Sequence, residues 1–258
     1  MEEILTKAMP VHEVDEFLTA LIYGRSGSGK TTIAASFPKK VLLLDVHDKG
    51  TDSIRDIEGI DVFNVVNWED FEAVYWALSK GDHEYKTVVI DTVSNLQDLA
   101  IKEVRRREHI DIDGAMSQRL WGDTSRIMSQ WIYAYRDLAM NVVFLSQERL
   151  KRGSDDDSYD DQLDPEVGPA VIPSVAKVLT ASVKLIGNTY IRQTTRASTK
   201  NIGTLVVQTS YMVRVGPHPF YITKVRSPKS FKLPGSLKDA TYASFMALMR
   251  GEKSEVPT

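Results

Sequence analysis

The chain has 258 residues, 42% of them hydrophobic and 26% charged, and no cysteine. It is long enough to bury a full core unaided, and the lack of cysteine excludes a disulfide framework, a thiol nucleophile, iron–sulfur ligation and any cysteine-based zinc site. With 32 Lys and Arg against 35 Asp and Glu, a net charge of -3, it is not a uniformly basic nucleic-acid binder, and any such contact must come from local patches.

The opening MEEILTKAMP lacks a hydrophobic signal core. No apolar run approaches the ~20 residues that span a membrane. The expectation is an intracellular, cytoplasmic protein with no membrane partner. Short, nearly continuous apolar runs follow: FLTALIY at 17–23, VLLLD at 41–45, TVVID at 87–91 and NVVFLS at 141–146. Such runs suit strands buried on both faces of a parallel sheet. Between the later runs, Val93, Leu96, Ala100 and Val104 share one face of a predicted helix at 93–108. Leu120, Ile127, Met128, Trp131, Tyr135 and Leu138 share a face of another at 119–139.

Residues 148–170 are polar and read as a long loop, of the kind that usually carries function or stays disordered. A short helix at 171–179 is predicted next, then strands at 181–192, 203–214 and 219–226. Pro228, Pro234 and Gly235 break the chain before a terminal helix at 237–250. The expected layout is an N-terminal arm over 1–17, an α/β core over 18–226 and a tail with a short helix over 227–258. The core would be a mostly parallel sheet flanked by helices, with antiparallel strands at its C-terminal end.

The strongest local signal is Gly24-Arg25-Ser26-Gly27-Ser28-Gly29-Lys30-Thr31, a GxxxxGK[ST] phosphate loop between a buried run and the helix TTIAASF. Its glycines let backbone N–H groups converge on phosphate, aided by the helix N-terminus. Lys30 would reach the β- and γ-phosphates and Thr31 would hold Mg²⁺, with Thr32 completing the cradle. Asp91, at the tip of TVVID and leading straight into a helix, suits the second Mg²⁺ partner. Asp45, ending another buried run, is its competitor. No NKxD guanine reader is present.

The order of these parts resembles the RecA-like recombinases and ring motors. In that family a strand ending in Gln senses the γ-phosphate and opens a DNA-binding loop, a role that falls here on Gln147 and 148–170. Arg107 to Gln118 occupies the place of the first DNA loop. The resemblance implies that Lys224 and Arg226, two residues apart and so on one strand face, reach a neighbouring subunit's nucleotide as a cationic finger. It also implies ATP rather than GTP. The family's catalytic Glu after the second strand has no match in Asp45-Val46-His47-Asp48-Lys49-Gly50, which leaves Asp48, and more weakly His47, as the base. LLLDVHDKGTDSI, YITKVRSP and LPGSLKDATYASFMAL are similar to phage-encoded, core-only RecA-like proteins of single-strand annealing. That likeness places the chain in a bacterial host cell.

Arg105, Arg106 and Arg107 end one predicted helix, and Arg149, Lys151 and Arg152 open the polar loop. These clusters are candidates for single-stranded DNA phosphates, although cations also favour helix C-termini. Against DNA stand seven carboxylates in the thirteen positions Ser154 to Glu166. The expected function is ATP-dependent loading on single-stranded DNA for recombination or annealing. Self-association into a ring or filament is expected, with a single-strand binding protein as a further partner. The alternatives are a helicase-type motor and a nucleotide-switched protein-interaction ATPase.

Overall fold

The computed structural model describes residues 17–111, 114–151, 165–197 and 205–252. The four apolar runs become β1 (Thr19–Gly24), β2 (Val41–Asp45), β4 (Thr87–Asp91) and β5 (Asn141–Ser146), and every residue in them is buried. β3 (Ile60–Asn64), which the sequence reading passed over, pairs with β2 and leaves Val62 and Phe63 exposed on the sheet edge. β8 (Leu185–Ala197) and β9 (Leu205–Arg214) form a long antiparallel hairpin. β10 (Lys224–Val225) and β11 (Ser236–Lys238) complete the main sheet. Its order is β11-β9-β8-β1-β5-β4-β2-β3, with β10 pairing β8. The ladders from β3 across to β8 are parallel, and those involving β9, β10 and β11 are antiparallel.

Six helices are described: α1 (Lys30–Ala34), α2 (Trp68–Ser79), α3 (Val93–Arg107), α4 (Gln118–Arg136), α5 (Pro173–Ser182) and α6 (Tyr242–Arg250). Thr92 and Ser117 cap α3 and α4 by accepting from Asn95 and Leu120 N–H groups, as small hydroxyl residues do at helix starts. The alternation along β1 shows why both sheet faces are covered. Leu21 and Tyr23 enter one core with residues of α2, α3, α4 and α5, whereas Ala20 and Ile22 enter another with α1 and α6. Phe71 stacks on Tyr135 at 4.6 Å within the first core.

Four predicted elements change. The polar stretch 148–170 is not wholly a loop. Its ends pair as β6 (Glu148–Lys151) and β7 (Glu166–Pro169), an antiparallel ribbon beyond β5. The strand expected from 181 starts at Leu185, because α5 runs on to Ser182. The expected strand 219–226 reduces to β10 and one bridge between Tyr221 and Val167. Pro217 and Pro219 just upstream bring no backbone N–H to a ladder. The terminal helix expected over 237–250 begins only at Tyr242, because Ser236–Lys238 pair with β9 as β11; Leu237, Phe245 and Leu248 are buried in the second core.

Candidate functional site

The phosphate loop curls over the C-terminal end of β1. Gly24 packs so tightly on β8 that a Cβ there would stand 2.5 Å from the Thr189 carbonyl oxygen. Gly29 starts α1 at φ 88°, a conformation that costs any L side chain. Ser28 and Thr189 hydroxyls meet at 2.6 Å, tying the loop to β8. Lys30 turns back under the loop and donates to the Gly24 and Arg25 carbonyls at 3.1 and 2.9 Å. Its Nζ also donates to Gln147 Oε1 at 3.4 Å. Burial holds the Lys30 ammonium below the ordinary lysine range, against the pull of Asp91, Asp48 and Glu148.

The two candidate metal carboxylates separate clearly. Asp45 Oδ1 accepts the N–H groups of Asp48 and Lys49 at 2.9 and 3.1 Å, so this carboxylate shapes the turn after β2. Asp91 accepts the Thr31 hydroxyl at 2.9 Å through Oδ2, while its buried Oδ1 has no hydrogen-bond partner. An orphaned carboxylate oxygen is costly and asks for an occupant. The Asp91 pKa is pushed up to about 6, first by burial, with Asp48 and Asp45 adding repulsion against the Thr31 bond and Lys30. Thr31 and Asp91 suit Mg²⁺, which keeps waters and phosphate oxygens and needs few protein ligands. Among the described residues no group of three or more His, Asp or Glu offers a different metal cage.

Gln147 follows β5 directly. Its N–H donates to Ser94 Oγ at 3.1 Å, and Ser94 Oγ meets Ser146 Oγ, also at 3.1 Å. Ser146 in turn accepts from the Ala170 N–H at the end of the ribbon at 3.2 Å. Thus the helix after Asp91, the Lys30 contact and both ends of the ribbon meet within a few residues. Glu148, the first residue of β6, pairs with Arg25 at 2.9 Å and accepts from Asn188 at 3.3 Å. Asp48 is exposed and lines the same cavity of about 680 Å³ as Ser26, Gly27, Gly29, Lys30, Thr31, Thr32 and Gln147. His47 is exposed at φ 58° on the same turn.

Other expected site residues lie apart. Lys224 and Arg226 sit at the starting end of β8, beside Ile186 and Lys184, whereas Thr189 faces Gly24. Lys224 donates to the Thr180 and Ala181 carbonyls at the end of α5, and Arg226 is exposed. Arg106 pairs with Glu103 at 2.8 Å and Glu69 at 3.0 Å. Arg107 pairs with Glu103 and lies 3.6 Å from Glu72. These arginines therefore join α3 to α2. Arg105 donates to the Gly114 carbonyl at 2.9 Å. Arg149 is exposed on β6, Lys151 ends β6, and Arg152 lies outside the described residues. The sequence reading gave no role to Ser94, Ser146, Glu148, Thr189 and Tyr211, although Ser146 and Glu148 flank Gln147.

A family model described as an AAA domain matches residues 16–227. Comparison with curated proteins gave no match. Among solved structures, the flagellar accessory protein FlaH of Methanocaldococcus jannaschii aligns at 9% identity and a TM-score of 0.36. That alignment covers 87% of this chain and 90% of FlaH.

Proposed function

The chain belongs to the AAA domain family, an ATP-binding P-loop ATPase by membership and by its cavity, and from that premise we propose a more specific role. It is a Mg²⁺-dependent ATPase that assembles head to tail with nucleotide between subunits. The β6–β7 ribbon takes up single-stranded DNA according to nucleotide state. The observation that carries this reading is the junction at Gln147: one residue touches Lys30 of the phosphate loop and opens β6. When bound, Mg²⁺ neutralises charge on the terminal phosphates. Lys30 holds the γ-phosphate end, and a change there reaches Gln147, whose backbone is fastened through Ser94 and Ser146 to both ribbon ends.

Assembly is supported by where the Lys224 and Arg226 pair lies. Counted along β8, Lys224 is three and Arg226 five register positions from the level of Gly24, or roughly 10–16 Å. That separation from the chain's own phosphate loop supports a role towards a neighbour's nucleotide. Arg226→Ala is expected to slow hydrolysis by ~10²-fold or more, as loss of a finger does, with little change in nucleotide affinity. Mixing R226A with K30A subunits tests this: rescue of ATPase activity supports action in trans, and strictly additive inactivity refutes it.

DNA uptake is assigned to Arg149, exposed on β6, and to Lys151, which ends that strand. Fluorescence anisotropy of labelled single-stranded DNA, with and without a Mg-ATP analogue across a salt series, is the test. Nucleotide-dependent binding that weakens steeply with salt is expected. No binding at low salt in either state removes DNA from the proposal and leaves the ATPase with a protein partner. Among the described residues no helix is long and apolar enough to cross a membrane.

A further inference from the structure

The two ends of the cavity differ in chemistry because they lie on opposite sides of β1. Towards β5, β4 and β2 stand Gln147 and Asp48, with Lys30 and Thr31 between and Asp91 buried behind Thr31. Towards β8 and β9 stand Tyr211 on β9 and Asp239, Ala240 and Thr241 just after β11. A nucleoside triphosphate has one polyanionic end and one flat, uncharged end. Lys30, with the Mg²⁺ that Thr31 and Asp91 would hold, would draw the γ-phosphate to the first side, which sends the base towards the second.

We infer that Tyr211 is the platform on which the nucleobase stacks, so that this end of the cavity, rather than the phosphate loop, separates nucleotides from inorganic polyphosphate. This deepens the proposed function and rests on it. Tyr211 is 46% exposed and lines the cavity, so its ring offers an uncovered apolar face there. It lies against the loop itself, 3.3 Å from where a Cβ on Gly29 would stand. In register Tyr211 is opposite Ile191, two positions beyond Thr189, which packs on Gly24. The ring therefore rises just past the loop.

The adjoining wall is preformed. The Asp239 N–H donates to the Tyr211 carbonyl at 2.8 Å, coupling the two segments through the backbone. The Tyr242 N–H donates to Ser36 Oγ at 2.9 Å, and the Tyr242 ring packs on Phe37 at 5.1 Å, which fix the 239–241 turn against the end of α1. A slot already built loses little entropy when a flat ring enters it. Asp239–Thr241 lie beyond residue 227, where the family match ends, so family membership does not supply this wall.

The test measures binding of ATP and of inorganic tripolyphosphate, each with Mg²⁺, to the full chain by calorimetry. Tyr211→Ala is expected to weaken ATP by about tenfold or more, the scale of one lost base–aromatic stack, and to leave tripolyphosphate unchanged. Tyr211→Phe is expected to keep ATP affinity, because the ring face does the stacking. Equal losses for both ligands in Y211A make the ring a prop for Gly29 and overturn the inference. Unchanged ATP affinity in Y211A overturns it too, as does wild-type protein that holds tripolyphosphate as tightly as ATP. In each of those outcomes the phosphate site itself stands. A wild-type chain that binds neither ligand refutes the nucleotide reading first, and this inference with it.

Discussion

Replacing Lys30 with alanine is expected to lower Mg-ATP affinity by ~10²-fold or more and to abolish hydrolysis, with little effect on folding. The physical reason is the position of Nζ. It lies beneath the loop, bonded to the Gly24 and Arg25 carbonyls and close to Gln147 Oε1, so it can swing to phosphate oxygens without a backbone change. A charge-assisted hydrogen bond in a buried setting is worth about 1.5–3 kcal/mol, and the upper end of that range is close to 10²-fold. The same burial that holds this ammonium below the usual lysine range makes it costly to keep charged beneath the loop. Its removal therefore leaves the fold about as stable. Titration calorimetry and a melting curve on the same sample separate the two effects. A variant with unchanged nucleotide affinity refutes the assignment of the loop.

The second large effect concerns Asp91 and reverses the usual behaviour of a carboxylate. Its pKa is raised from 3.8 to about 6 in the folded chain, chiefly by burial, so the native state holds the proton more tightly than the unfolded state. The stabilisation is fully present below about pH 4 and is lost as pH rises to about 6. Above that, the charged group costs on the order of 3 kcal/mol. Asp91→Asn removes the charge and keeps an acceptor for the Thr31 hydroxyl. The unliganded variant is expected to melt several degrees higher than wild type at pH 7.5, and to match it near pH 4. It is also expected to lose the Mg²⁺-dependent part of its nucleotide affinity. In wild type, that part fades as pH falls below about 6, because a proton then occupies the carboxylate. A D91N protein that melts lower at pH 7.5, or binds Mg-ATP as wild type does, contradicts this account of the orphaned oxygen.

Local features of the fold were legible because their causes are local. Strands buried on both faces read as unbroken apolar runs, and β1, β2, β4 and β5 match those runs to within two residues. The phosphate loop is contiguous, so spacing alone reveals it. Choosing Asp91 over Asp45 rested on the helix that follows, and in the structure the two carboxylates differ in their partners. Asp45 is consumed by the N–H groups of Asp48 and Lys49, while Asp91 keeps one oxygen free of partners.

What escaped the sequence depends on pairing between distant segments. The ribbon β6–β7 closes between residues 148 and 169 across polar sequence with no apolar alternation, so nothing local marks it. Arg106 and Arg107 look like free cations at a helix end until α2 brings Glu69 and Glu72 beside them. Tyr211 and the 239–241 turn meet the phosphate loop only because β9 and β11 extend the sheet past β8. No spacing rule links residue 211 to residue 29. The hydroxyls of Ser94 and Ser146 are likewise ordinary in sequence, and their relay exists only where β4, β5 and α3 converge.

The most direct test of the whole account is calorimetric titration of the wild-type chain with a non-hydrolysable ATP analogue, with and without Mg²⁺, at pH 7.5 and pH 5. One site per chain is expected, tighter with Mg²⁺ at pH 7.5 and with that gain largely gone at pH 5, where Asp91 carries its proton. Binding that ignores both Mg²⁺ and pH, or no binding under any of the four conditions, contradicts a Mg-nucleotide site built on Lys30, Thr31 and Asp91.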